Sequence, residues 1–191
     1  MGKIFYLMGK SASGKDTIYK RLLNECPGLH PIVLYTTRPM RDGELQGVEY
    51  YFVSEKELID FQDAGKIIEL RKYQTMSGVW SYATIDNGKL GKDNENYLAI
   101  GTLESYEKML DYFGKNIVVP IYIVVDDGLR LERALIRERQ QKNPNYMELC
   151  RRFLADEKDF SLEKLKICGI HKIYENNDLE QCIMEIKKKL S

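Results

Sequence analysis

The chain has 191 residues, 43% hydrophobic and 30% charged. That is enough apolar side chain for one domain with its own core, and it excludes a disordered, collagenous or disulfide-stapled chain. Lys and Arg (29) balance Asp and Glu (29) for a formal net charge of +0; a whole-surface basic field for duplex nucleic acid is excluded, while a local basic cleft is not. Cys26, Cys150, Cys168 and Cys182 form no C-x-x-C pair, so they read as reduced thiols, partly in the core. The apolar run at Met1–Leu7 is short and no small-residue cleavage site follows it. No stretch approaches the about 20 apolar residues of a membrane span, so a cytoplasmic protein with no membrane partner is expected.

In chain order, Ile4 to Met8 is a continuous apolar run ending at Gly9, the pattern of a strand buried on both faces. A helix follows over Lys15 to Glu25, with Ile18, Leu22 and Leu23 on one face. Pro31 to Asp86 breaks the strand–helix rhythm. It is rich in Tyr, Thr and Gly and reads as short antiparallel strands around one helix, opened by a capping box at Ser54 and Glu57 and closed by Gly65. Tyr97 to Ile100 and Ile117 to Val125 are further strands, the second with an uncertain start at Pro120, and Lys172 to Glu175 is a weaker one. Helices are expected over Thr102 to Phe113, Leu129 to Gln141, Asn145 to about Lys158, and from Asp178, with Gln181 at the capping-box spacing, along Leu179, Cys182, Ile183, Ile186 and Leu190. Strands alternating with helices at both ends predict a parallel α/β core carrying an inserted lid.

Gly9-Lys10-Ser11-Ala12-Ser13-Gly14-Lys15 lies between the first strand and the first helix, the setting that gives G-x-x-x-x-G-K its meaning. Glycines let backbone N–H groups curl around an anion, the helix N-terminus adds its dipole, and Lys15 adds a full charge for the β- and γ-phosphates. ATP is the implied ligand. The position after the lysine is Asp16, followed by Thr17. Asp16 either holds Mg²⁺, directly or through water, or simply offsets the helix dipole, and Thr17 can take the hydroxyl role.

Further on, Thr36-Thr37-Arg38-Pro39-Met40-Arg41 places two arginines three residues apart, fixed by proline and flanked by hydroxyls. Such a pair can fork around one phosphate monoester, and Tyr50 can add a phenolic donor; solvated surface arginines are the plainer alternative. The phosphate loop, the run from Thr36 through Gly43-Glu44, Gly47 and Tyr50 to Phe52-Val53-Ser54, and the later Arg-rich segment, in that order and spacing, resemble the guanylate kinase family over nearly the whole chain.

The resemblance implies a P-loop kinase fold: a three-layer α/β/α core with a parallel sheet (about 1–33, 87–126 and 160–191), an inserted monophosphate-binding lid (about 34–86) and a small helical ATP lid (about 127–159). It implies conversion of GMP or dGMP to the diphosphate by ATP and Mg²⁺. Its partners would be small nucleotides rather than nucleic acid, and its state monomer or homodimer. Carried over by position, Arg38, Arg41, Tyr50 and Tyr82 would hold the acceptor's phosphate, Glu69 would accept from guanine N1–H and the 2-amino group, and Thr84 would donate to O6. Arg137, Arg152 and Arg133 would stabilise the transferring phosphoryl group, and Asn176 would lie near the adenine.

Departures from the family pattern fall on the base. Leu34 stands where a serine is expected, Ala99 and Gly101 where aspartates are expected, and Tyr73 to Ser81 is longer than usual. Trp80 and Tyr82 can stack on a base, with lid core as the alternative for Trp80. Gly14-Lys15-Asp16 is also the loop ending of ribose 1,5-bisphosphate kinases, which resemble this family. Guanylate-kinase-like domains that bind phosphopeptides without catalysis are a third reading.

Overall fold

A computed structural model describes residues 2–41, 43–75, 78–90 and 94–190; Met1, Asp42, Met76, Ser77, 91–93 and Ser191 lie outside it, so the first residue of the apolar amino-terminal run, part of the long Tyr73–Ser81 segment and those positions of the expected core and lid ranges are not covered. The core is a five-stranded parallel sheet in the order β2 (Leu29–Pro31), β7 (Asn96–Gly101), β1 (Ile4–Gly9), β8 (Val118–Val124), β9 (Ile173–Glu175). All six residues of β1 are buried, as the unbroken apolar run requires of a central strand.

Because side chains alternate across a strand, the sheet feeds two apolar layers. Tyr6, Met8, Ala99 and Tyr122 face α3 (Leu103–Phe113) and the segment around α6 (Leu162–Ile167), while Phe5, Leu7, Leu98 and Ile123 face α1 (Lys15–Glu25) and α7 (Leu179–Leu190). Helices on both faces of a parallel sheet complete the α/β/α arrangement, and α4 (Asp127–Arg139) and α5 (Tyr146–Asp159) project from it as a charged pair. Among the described residues no helix is long and apolar enough to cross a membrane.

Between β2 and β7 the chain builds a second sheet, ordered β4 (Tyr51–Phe52), β3 (Tyr35–Thr36), β6 (Gly78–Ile85), β5 (Ile67–Thr75), with α2 (Glu55–Asp63) against it. Its pairs are antiparallel except β3 with β4, which are parallel because residues 37–50 carry the chain back to its starting end. The capping box at Ser54 and Glu57 forms, with Glu57 N–H to Ser54 Oγ at 3.2 Å and Ser54 N–H to Glu57 at 2.7 Å. Asp178 likewise caps α7 through the Gln181 N–H at 2.8 Å.

Sequence patterning misses β2 and α6: three and six residues are too short to show a period. Pro120 sits inside β8, where it is tolerated because β9 pairs only from Tyr122 onward and leaves that stretch a single neighbour. The four cysteines are free thiols, with Cys168 and Cys182 buried.

Candidate active site

The loop from β1 to α1 is held by close approach rather than by side-chain bulk. A Cβ on Gly9 would lie 2.7 Å from the Ile123 carbonyl oxygen, and Gly14, at φ +83°, has Asn176 Nδ2 2.4 Å from where its Cβ would be. Both glycines are therefore required. Ala12 takes a left-handed φ of 62° without being glycine, a backbone strain of a kind that collects at ligand-binding loops.

Asn176, expected near adenine, is buried and donates its amide to Ser13 O at 2.8 Å, while Arg133 Nη2 donates to Asn176 O at 3.3 Å. These two brace the loop from behind. Lys15 and Asp16 face forward, 3.9 Å apart, into a cleft of about 870 Å³.

Arg130, on α4, gathers the carboxylates beside the loop. It is 1% exposed and reaches Asp127 at 2.9 Å, Asp156 at 3.2 Å and Glu157 at 2.8 Å, with its guanidinium 3.9 Å from the Phe153 ring centre. Asp156 also accepts from the Ser11 N–H at 2.8 Å, and Lys10 pairs with Glu157 at 2.6 Å. A carboxylate of the chain itself thus occupies one of the loop's N–H groups. Arg137 and Arg152 flank Ser11 in a small separate recess, Arg152 tied to Glu148 at 2.9 Å. Thr17 is exposed and does not line the large cleft.

On the second sheet's side of the cleft the two arginines part. Arg38 is 4% exposed, bonded to Glu44 at 2.7 and 2.8 Å and to Pro39 O at 2.8 Å, 5.2 Å from the Tyr50 ring centre. Glu44, which also accepts from the Arg41 N–H at 2.8 Å, is held down at about 2 by the Arg38 bonds. Arg41 itself is exposed. Tyr50 and Tyr82 line the cleft with ring centres 5.6 Å apart.

Glu69 and Thr84 are cross-strand partners on β5 and β6, both buried, and neither lines the cleft. Thr84 Oγ1 donates to Glu69 Oε2 at 3.3 Å, and Arg71 Nε pairs with Glu69 Oε1. Burial raises the Glu69 pKa, against the pull of Arg71 and Thr84. Burial opposes the charge on Arg71, but Glu69, Tyr73 and Tyr6 beside it outweigh that and hold the guanidinium protonated.

The residue lining the cleft at this end is Arg71, with Leu34, Tyr73 and Trp80. Its signal in sequence is its spacing: two residues after Glu69 on a strand, it shares that residue's face. Glu44 and Arg130 carry no comparable signal, since charged residues in a polar loop and on a charged helix read as solvated. Gly101, where an aspartate is expected, is explained by Tyr6. A Cβ there would fall 2.2 Å from the Tyr6 hydroxyl and 2.9 Å from Ser105 Oγ.

Residues 1–191 match the family model described as Guanylate kinase. A guanylate kinase of Symbiobacterium thermophilum is 29% identical across 97% of this chain and 83% of its own length. One from Corynebacterium glutamicum is 41% identical over 69 residues, 36% of either chain. The crystal structure of guanylate kinase from Anaplasma phagocytophilum has the same fold, with a TM-score of 0.62 at 22% identity over 99% of this chain and 84% of that one. A family match running from one end of the chain to the other, on a P-loop kinase fold, makes this protein a member of the guanylate kinase family of phosphotransferases.

Proposed function

We propose that this enzyme transfers the terminal phosphoryl group of ATP to a nucleoside monophosphate, GMP or dGMP, to give the diphosphate. Family membership supports both donor and acceptor. The observation that carries the reading is that Lys15, at the end of the phosphate loop, opens onto the same cleft as Tyr50 and Tyr82 of the second sheet. Two anions held by these facing walls meet head to head in one cavity.

In this reading the N–H groups of residues 10–14 and the Lys15 ammonium hold the β- and γ-phosphates. Asp156 sits on the Ser11 N–H that a phosphate would use, so nucleotide entry displaces it. The α4–α5 pair, within an ATP lid of about 127–159, then brings Arg137, Arg152 and Arg133 toward the charge that develops on the transferring group. Arg38, positioned by Glu44, joins Arg41, Tyr50 and Tyr82 around the acceptor phosphate in a lid of about 34–86. An oxygen of that phosphate attacks the γ-phosphorus as the bond to the ADP oxygen breaks. It is already anionic, so no general base is required.

Asp16 is exposed at the cleft beside Lys15, a carboxylate that fits Mg²⁺, an ion that takes one or two carboxylates plus phosphates and water, while Thr17, the next residue on α1, lies off the large cleft. Among the described residues no group of three or more His, Cys, Asp or Glu could hold a metal alone. When bound, Mg²⁺ neutralises charge on the phosphate oxygens. Its partners are small nucleotides rather than nucleic acid, and the same reading takes the protein as a cytoplasmic monomer or homodimer, which sedimentation measures.

The test is ADP release from ATP and Mg²⁺ with GMP, dGMP, the other nucleoside monophosphates and ribose 1,5-bisphosphate. Guanine monophosphates should support turnover, and Lys15→Ala should lose about 10²–10³-fold. Release with the sugar bisphosphate alone, or normal turnover in Lys15→Ala, overturns the proposal.

A further inference from the structure

We propose that α5 is an autoinhibitory strap. In the free enzyme its Asp156 and Glu157 hold the Ser11 N–H and the Lys10 ammonium of the loop between β1 and α1, and any anion that binds this loop must first lift them. This rests on the phosphotransferase reading above, in which that loop takes the phosphates of ATP, and concerns what the loop holds before ATP arrives.

The strap touches the loop at two adjacent residues. Asp156 Oδ2 accepts from the Ser11 N–H at 2.8 Å, and the two oxygens of Glu157 accept from Lys10 Nζ at 2.7 and 2.6 Å. A carboxylate on a backbone N–H and a carboxylate on an ammonium are contacts of the kind that phosphate oxygens make. The two acids therefore stand in for a ligand of the loop. Both meeting points are largely covered, with the side chain of Asp156 14% exposed and that of Lys10 18%.

The helix that carries these acids is built to lift. All 14 residues of α5 are exposed or half-buried, with Met147 and Leu154 well out in solvent, so no deeply buried apolar face anchors it over the loop. Its acids also stay bundled without the loop. Arg130 of α4 donates to the same Asp156 oxygen at 3.2 Å and to Glu157 at 2.8 Å, and its guanidinium lies 3.9 Å from the Phe153 ring centre. The α4–α5 pair thus moves as one piece. Lifting it breaks the contacts to Ser11 and Lys10 and leaves the Arg130 cluster whole, so the strap can close again when the ligand leaves.

A strap of this kind weakens every loop ligand by one common factor, the inverse of the fraction of molecules in which it is open. Plain repulsion by two carboxylates behaves differently, because it grows with the charge of the ligand and fades in salt.

The experiment titrates the full chain with ADP by calorimetry, and with inorganic phosphate by its competition against ADP. Asp156→Asn should tighten both by the same factor, about 5–10-fold, as a neutral amide accepts more weakly from the Ser11 N–H. The equality should persist at high salt. Glu157→Gln, at a side chain 43% exposed, guards against misfolding and should tighten both by about 2–3-fold, the effect of a partly exposed ion pair.

Unchanged or weaker ADP binding in both variants overturns the strap while the phosphotransferase reading stands. So does a gain that is larger for ADP than for phosphate and vanishes in salt. Failure of the parent and of both variants to bind ADP at all overturns both.

Discussion

Replacing Arg130 by Met removes a charge and keeps most of the stem that packs against Phe153. The native guanidinium is buried and holds Asp127, Asp156 and Glu157 within 2.8–3.2 Å. Its loss leaves those three carboxylates with Lys10, which lies 2.6 Å from Glu157 and 4.0 Å from Asp127. Breaking a buried ion pair from one side costs about 3–5 kcal/mol. Asp127 and Glu157 are 58% and 43% exposed, and water takes over much of their share. Asp156, at 14%, keeps most of its penalty. The lost cation–π contact adds about 1 kcal/mol.

The net expectation is a loss of about 3 kcal/mol, which for a chain of this length lowers the melting temperature by roughly 6–12 °C. Thermal and urea unfolding of Arg130→Met against the parent measure it. The loss should shrink in high salt, because mutual repulsion among the carboxylates is screened. Adding Asp156→Asn should recover part of it through a coupling of about 1–2 kcal/mol. A melting temperature within about 2 °C of the parent, or strict additivity of the two substitutions, would refute the idea that Arg130 organises this acidic cluster.

Asp156→Asn alone frees the Ser11 N–H from a competing carboxylate, so KM for ATP should fall by up to about tenfold with kcat retained; a raised KM would show that the carboxylate helps bind nucleotide. The Arg38 bonds that hold Glu44 at about 2 depress its pKa from the usual 4.5 of a glutamate. The stabilisation is therefore complete above about pH 4.5 and is lost as pH falls through about 2. Acid should loosen residues 38–52 in hydrogen exchange, and Glu44→Gln should be loose already at neutral pH with no further change between those limits. Gly101→Asp forces a side chain onto the Tyr6 hydroxyl, 2.2 Å from the new Cβ, and should destabilise by about 3 kcal/mol or more in urea titration. Tyr6→Phe in the same chain, which removes the hydroxyl and keeps the buried ring, should relieve part of that, and no relief would mean the crowding lies elsewhere.

Local chemistry made much of this molecule legible in its residues. The unbroken apolar run before Gly9 announces a central strand, because only a strand covered on both faces can afford no polar side. The G-x-x-x-x-G-K spacing announces the loop, because two glycines are needed at close approaches to Ile123 and Asn176. Ser54 and Asp178 announce their helices through caps that need only three residues to form. Short elements such as β2 and α6 are silent, since they are stabilised by the sheet and the core and not by their own period.

The Glu69 end of the second sheet depends on long-range packing instead. The family resemblance makes Glu69 the expected guanine acceptor, yet whether a carboxylate is available to a ligand depends on what else reaches it. Arg71 comes from the same strand and Thr84 from its neighbour, 15 residues on. Arg38 reads as a phosphate ligand, and Glu44 decides how much of its charge is already spent. Chain order thus determined the strands, the caps and the glycine loop that ends at Lys15, which follow from backbone geometry over a few neighbouring residues. Only the folded arrangement decided which charged groups neutralise one another and which face the cleft, because electrostatic pairing is a matter of distance in space and burial, and neither is written in the spacing along a chain.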